Sequence, residues 1–231
     1  MDRRILNQIC YFLPNPEKVL NSCKQFTNQR IYNIRWKNKV YYTDNRIKSV
    51  NTQEVSFYFN TCKEIWFKEG KIRRDDIDPV TGLTLHATIW RSGAKIWYKD
   101  GEKHRDEINP KTGQTLPAMI NQHYKEKYWF KDGKEYCFDI DPETGLTLPS
   151  YINENFNEFI WHKNNDTHRD EIDPETGYTL PAIICNEEKY WYKNGLYHRD
   201  ETNPEDGFYL PAVIDEDGIE SWYLFGYALD Y

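Results

Sequence analysis

The triplet His-Arg-Asp occurs three times, at His104-Arg105-Asp106, His168-Arg169-Asp170 and His198-Arg199-Asp200. In that order the residues could set a proton-accepting carboxylate beside a guanidinium, the arrangement of a phosphoryl-transfer loop. That chemistry also needs a glycine-rich phosphate loop, a strand lysine and an Asp-Phe-Gly metal ligand, and none accompanies the triplets. Copied words also argue against a centre that is built once. The triplets read as structural, with Arg and Asp paired between neighbouring copies into an exposed ladder. A column of His104, His168 and His198 could hold a metal, but one imidazole per copy without thiol or carboxylate partners is not a ligand set.

Other chemistry is equally thin. Asp139, Asp141 and Glu143 look like half a calcium loop, without its central Gly and its bidentate Glu, and a tight turn accounts for the same residues. The cysteines, Cys10, Cys23, Cys62, Cys137 and Cys185, are odd in number and irregular in spacing, with no C-x-x-C. That usage fits a reducing compartment and argues against a metal site. No nucleophile–base pair or paired carboxylates stand in a unique context. The expectation is a chain without catalysis, metal or cofactor.

The elements that must position these residues are repeats. Trp36, Trp66, Trp97, Trp129, Trp161, Trp191 and Trp222 are separated by 30, 31, 32, 32, 30 and 31 residues. Full copies start at Trp66, Trp97, Trp129, Trp161 and Trp191, and a shortened one at Trp222. The stretch after Trp36 keeps the spacing but not the words. Within a copy, Lys-x-Trp-Tyr/Phe-Lys predicts a short strand. Glu69-Gly70, Asp100-Gly101, Asp132-Gly133 and Asn194-Gly195 predict two-residue hairpin turns, and Asn164-Asn165 does the same job less well. Asx-Pro-x-Thr-Gly, as at Asn109–Gly113, predicts a further turn, and Leu-Pro-Ala-x-Ile a third strand. If every turn reversed the chain, successive copies could not stack by translation. The Asx-Pro loop is therefore expected to be an outward excursion, leaving a two-stranded hairpin per copy.

Trp66, Trp97, Trp129, Trp161, Trp191 and Trp222 are the expected repeat core, each ring filling the layer between hairpins. The alternative is an exposed aromatic ladder for a sugar or a Pro-rich peptide. The third copy replaces His-Arg-Asp by Tyr136-Cys137-Phe138, which is either a partner contact or repeat drift.

The head differs from the body. Ile5, Ile9, Phe12 and Leu13 share one helical face, Pro14 ends it, and Asn15-Pro16-Glu17 opens a second helix with Val19, Leu20, Cys23 and Phe26 on its apolar side. A third short helix is expected through Ile31 and Ile34. Residues 1–48 carry +7 and the remainder −14 of the net −7. An acidic body excludes nucleic acid as its partner. No run of 18 apolar residues predicts a membrane span, and the first residues lack the apolar core of a secretory signal, so a cytoplasmic location is expected.

Ile9 to Phe26, I-C-Y-F-L-P-N-P-E-K-V-L-N-S-C-K-Q-F, resembles an F-box, with Trp36-Lys37 at the place of its closing Trp. The usual opening Leu-Pro-x-Glu is replaced by Arg3-Arg4-Ile5-Leu6. The resemblance implies docking of Ile5, Ile9, Phe12, Leu13, Pro14, Pro16, Val19, Leu20, Cys23 and Phe26 on the acidic Skp-type adaptor of a cullin ubiquitin ligase. The alternative is a helical cap on the repeat stack. Residues 64–226 resemble the MORN-variant repeat, with the Asx-Pro loop in place of its short Gly turn. That resemblance implies an open β-meander used for contacts. The combination looks like proteins of large DNA viruses that infect amoebae. The expected organisation is α+β: a helical module over 1–40, a degenerate first repeat or junction over 41–63, and an antiparallel β-meander or solenoid over 64–226. The expected function is a non-catalytic substrate receptor, with an unknown target on the repeats. The alternative is a structural, scaffold or virion component.

Overall fold

Among the described residues every regular element is a strand. The structure is a computed structural model and describes residues 32–36, 39–43, 62–68, 71–137 and 139–230. The helical head, and with it the adaptor-docking residues from Ile5 to Phe26, lies outside the described residues, as does the Glu69-Gly70 turn. No helix of the described residues is long and apolar enough to cross a membrane.

Tyr32–Trp36 is a strand where a third helix is expected. Its large side chains, Tyr32, Ile34 and Trp36, alternate with Asn33 and Arg35, a period of two that suits a pleated strand. It pairs antiparallel with Lys39–Thr43, which in turn runs parallel to Cys62–Lys68.

The chain divides into two compact units, one reaching Glu107 and including Ala118–His123, the other formed by Ile108–Pro117 and Tyr124–Tyr231. In the first, the sheet order is Tyr32–Trp36, Lys39–Thr43, Cys62–Lys68, Thr88–Trp90, Lys95–Ile96, Met119–Asn121. In the second it is Glu126–Tyr128, Tyr151–Asn153, Glu158–Ile160, Ile183–Cys185, Glu188–Tyr190, Val213–Ile214, Glu220–Ser221, antiparallel throughout. The antiparallel meander is as expected.

Two strands per copy enter the sheet, but their turn is not the expected one. The variable link closes the sheet hairpin, as between Glu188–Tyr190 and Ile183–Cys185. The Asx-Gly turn instead heads a separate two-stranded ribbon, such as Tyr192–Lys193 with Leu196–Tyr197. Asn194 and Gly195 have φ of 52° and 78°, the doubly left-handed geometry of a type I′ turn. The Asx-Pro loop also leaves the sheet, closed by one bridge per copy, such as Ile140 with Thr147 and Ile172 with Thr179.

The predicted Lys-x-Trp-Tyr-Lys strand therefore breaks at its tryptophan. The Trp191 N–H donates to the Ala212 carbonyl on the sheet side (2.8 Å), and the His198 N–H of the ribbon donates to the Trp191 carbonyl (3.0 Å). The same pair of bonds recurs at Trp97 with Ala118 and His104, and at Trp161 with Ala182 and His168. Each tryptophan is thus a corner shared by sheet and ribbon. Behind it lies a column of small, fully buried residues, Ala87 and Ala118 in the first unit and Ser150, Ala182 and Ala212 in the second. A proline precedes four of them (Pro117, Pro149, Pro181, Pro211), where its missing N–H costs no ladder bond.

Candidate functional site

The regular seams between copies are built from the same four kinds of side chain, a Trp, a Thr, a Glu and an Arg. The indole N–H of Trp97, Trp129, Trp161 and Trp191 donates to the carbonyl of Thr84, Thr115, Thr147 and Thr179 of the preceding copy, at 2.8–2.9 Å. The same threonine gives both its N–H and its hydroxyl to a carboxylate of the following copy. Thr147 reaches Glu171 at 2.7 and 2.8 Å, and Thr179 reaches Glu201 at 2.6 and 2.9 Å. Thr84 does so with Glu107 and Thr115 with Asp139. A bidentate clamp of this kind is charge-assisted and fixes the copy spacing.

The arginine of the triplet completes the bracket inside its own copy. Arg105, Arg169 and Arg199 donate Nε to Glu107, Glu171 and Glu201 at 2.9, 3.0 and 3.1 Å. Their guanidinium carbons lie 3.9, 3.9 and 4.1 Å from the ring centroids of Trp97, Trp161 and Trp191. Arg169 and Arg199 also donate to the Pro181 and Pro211 carbonyls. Burial lowers all three guanidinium pKa values from the usual range, and the paired carboxylates oppose that shift. The expected Arg–Asp ladder between copies is thus corrected. The guanidinium is held by a cation–π stack and a carboxylate two residues on, and a planar fork satisfies both only from this buried place. Asp106, Asp170 and Asp200 pair instead with Lys99, Lys163 and Lys193 of the same copy. Only the first described triplet position, Arg73, reaches across, to Asp100 at 3.1 Å.

The histidines act as gaskets. His168 Nδ1 accepts the N–H of Asn194, and His198 Nδ1 that of Phe225, both in the ribbon turn of the next copy, at 3.1 and 3.2 Å. Accepting there puts the proton on Nε2, which lies 3.3 Å from Asp170 and from Asp200. Clefts occur at two seams where the triplet opens with another residue. One, of about 180 Å³, is lined by Arg73, Trp97, Lys99 and Asp106; the other, of about 100 Å³, by Tyr136, Cys137, Leu148, Ser150, Trp161 and His162.

The second cleft is where the copies depart most from their pattern. Cys137 stands in the place of the bracket arginine, and only 8% of its surface is exposed. Burial pushes its thiol up to about 11, so it is protonated and unreactive at neutral pH. Tyr136 is half-buried beside it, and Phe138 lies outside the described residues. Asp139 still clamps Thr115, so the threonine clamp persists without the arginine.

Two side chains that sequence reasoning passed over meet here. Ser150 replaces the column alanine, and His162 replaces the aromatic residue after the tryptophan. Ser150 Oγ lies 2.9 Å from His162 Nδ1, and His162 Nε2 lies 3.4 Å from Glu135. The order is that of a hydrolytic relay. Yet Ser150 is 1% exposed, and its Oγ also accepts the His162 N–H (3.1 Å) and lies 3.2 Å from the Ile160 carbonyl. It is a locked cross-link, not a nucleophile within reach of a substrate. The paired change, Ala to Ser with aromatic to His, is the signal that could have revealed it. His86, in the proline position of the first copy, is a second missed residue. It lies edge-on between Trp66 and Trp97, and burial pushes its pKa down to about 4.

The Asx-Pro loops use their acids on themselves. Asp141 and Asp173 accept the N–H groups of Glu143 and Glu175 at 2.9 Å, which are Asx turns. Among the described residues no three His, Cys, Asp or Glu side chains gather as a metal site. Of the expected core, Trp97 and Trp191 are buried and Trp66, Trp129, Trp161 and Trp222 half-buried. Set against family models, curated proteins and solved structures, the chain matches none of them.

Proposed function

We propose that this chain is a non-catalytic interaction protein whose repeats hold a protein target and whose head docks on a Skp-type adaptor of a cullin ubiquitin ligase. The observation that supports the repeat half is the seam. The Trp, Thr and carboxylate groups that a catalyst would aim at a substrate are aimed at the neighbouring copy, and Arg105, Arg169 and Arg199 are held within their own copies. What remains for a partner, within each unit, is a surface of repeating pitch. The adaptor half rests on the resemblance of residues 9–26 to an F-box and on the +7 charge of residues 1–48. By linking both, the chain would raise the effective concentration of its target beside the ligase in the cytoplasm, without making a bond itself.

Tagged full-length protein should recover adaptor and cullin from host extract, and deletion of residues 1–30, which stops short of the Tyr32–Trp36 strand, should abolish that recovery. Recovery of targets with no adaptor would remove the ligase half. The evenly pinned copies also suit a scaffold or virion component with the head as cap. Stoichiometric recovery from purified particles, without ligase subunits, would select that role.

A further inference from the structure

In the second unit four Asx-Pro loops repeat, each with a charged tip and three with an apolar foot. The feet are Ile108, Ile140 and Ile172, each 49% exposed, and each is held by its bridge to Thr115, Thr147 or Thr179. Those threonines are clamped to the next copy, so the isoleucines stand at the pitch of the stack. Two strands per copy at about 4.8 Å set that pitch near 10 Å. About half of each of these isoleucines is left open to solvent.

The tips decide what fits. The loops 141–146, 173–178 and 203–208 contain Asp141, Glu143, Asp173, Glu175, Glu205 and Asp206 and no Lys or Arg. Glu143, Glu175 and Glu205 are exposed and enter no salt bridge among the described residues. The preceding loop, 109–114, carries an exposed Lys111 at the same position. The Asx turns and the Gly–Asx backbone bonds (Gly145 to Asp141 and Gly177 to Asp173, each 2.8 Å) hold the tips in place before any partner arrives.

We propose that this loop edge is the target-docking surface of the repeats, and that its occupant is an extended basic segment of another protein. Three residues of an extended chain of the polyproline II type span about 9 Å and bring every third side chain to one face, which matches one copy. The segment therefore places an apolar residue on each isoleucine foot and a Lys or Arg beside each glutamate tip, at every third position. Lys111 gives the segment a direction, because a basic residue is disfavoured against that loop. The inference rests on the proposed interaction role and names the chemistry of its target.

The test uses the full-length chain and a fluorescein-labelled 12-residue peptide repeating Ile-Lys-Ser, read by anisotropy at low and moderate salt. A scrambled peptide of the same composition is the control. The patterned peptide should bind at least about fivefold more tightly than the scrambled one. Replacing Glu143, Glu175 and Glu205 together by Gln should weaken it about tenfold, the sum of three exposed ion pairs. Ile140→Ser with Ile172→Ser should weaken it by a similar factor. Lys111→Glu should strengthen it, a gain that misfolding cannot mimic. Equal binding of patterned and scrambled peptides, or no response to Lys111→Glu, overturns the inference. If the peptide fails while host targets are still recovered by the full chain, the docking edge is wrong and the interaction role stands. If no protein is recovered at all, the role itself fails.

Discussion

The seam between the fourth and fifth copies and the third copy with its following seam use one blueprint with different parts. In the fourth copy Arg169 lies over Trp161, holds Glu171 and reaches the Pro181 carbonyl, while His168 receives the Asn194 N–H. In the third copy Cys137 and Tyr136 stand in those places, and Ser150, His162 and Glu135 form a cross-link found at no other described seam. Both keep the indole bond and the threonine clamp. The difference separates what the stack requires from what merely tightens it. The clamp and the indole bond set the pitch, whereas the arginine bracket and the imidazole gasket are local reinforcement.

Converting the regular copy into the irregular one should have the largest effect. Arg169→Cys leaves half-buried Glu171 without its cation and strips the face of Trp161, and should cost about 2 kcal/mol in urea unfolding. Cys137→Ala, in the copy that never had the arginine, should cost no more than about 1 kcal/mol. Equal losses at the two positions would show that the bracket is not what distinguishes the copies.

Acid should separate the seams next. Burial lowers the His162 imidazole below its usual range, with Glu135 opposing the shift. A folded value below the unfolded one means that the unfolded chain binds the extra proton. The stability is therefore present above about pH 6.5 and is lost as the pH falls through the lowered folded value. Restoring the consensus with Ser150→Ala and His162→Tyr should flatten that part of the urea midpoint between pH 7.5 and 5. An unchanged slope would place the acid sensitivity elsewhere.

The smallest effect is expected in the ribbon turns. Asn165 has a φ of 76° at the place where the next turn has Gly195. Its left-handed geometry costs about 1 kcal/mol, but its Oδ1 accepts the Glu135 N–H at 2.7 Å. Asn165→Gly relieves one and removes the other, so the thermal midpoint should hardly move. A clear gain would mean that the side-chain bond contributes little.

Much of this was legible in the residues. Tryptophan spacing marks the copies, and Asn194-Gly195 marks a type I′ turn whose dihedrals follow from residue type. The strand break at the tryptophan was not legible, because Lys-x-Trp-Tyr-Lys alternates smoothly and only the partners of the Trp191 N–H and carbonyl reveal the corner. The role of Arg169 was misassigned for a related reason: Asp170 is one residue nearer than Glu171 in sequence but faces Lys163. Tyr32–Trp36 carries both an aliphatic helical spacing and a two-residue alternation, and pairing with Lys39–Thr43 decided between them. Ser150 and His162 are ordinary residues whose meaning appears only against the copies that lack them.

The tryptophan corner also has a mechanical consequence. Because each indole fastens its own ribbon to the previous copy's threonine, a pull along the second unit loads these fasteners in series. Rupture of one would release a single copy of about 31 residues, near 100 Å of slack, while its neighbours stay shut. Such a chain would yield by instalments under tension, with the copy that lacks its arginine giving way first.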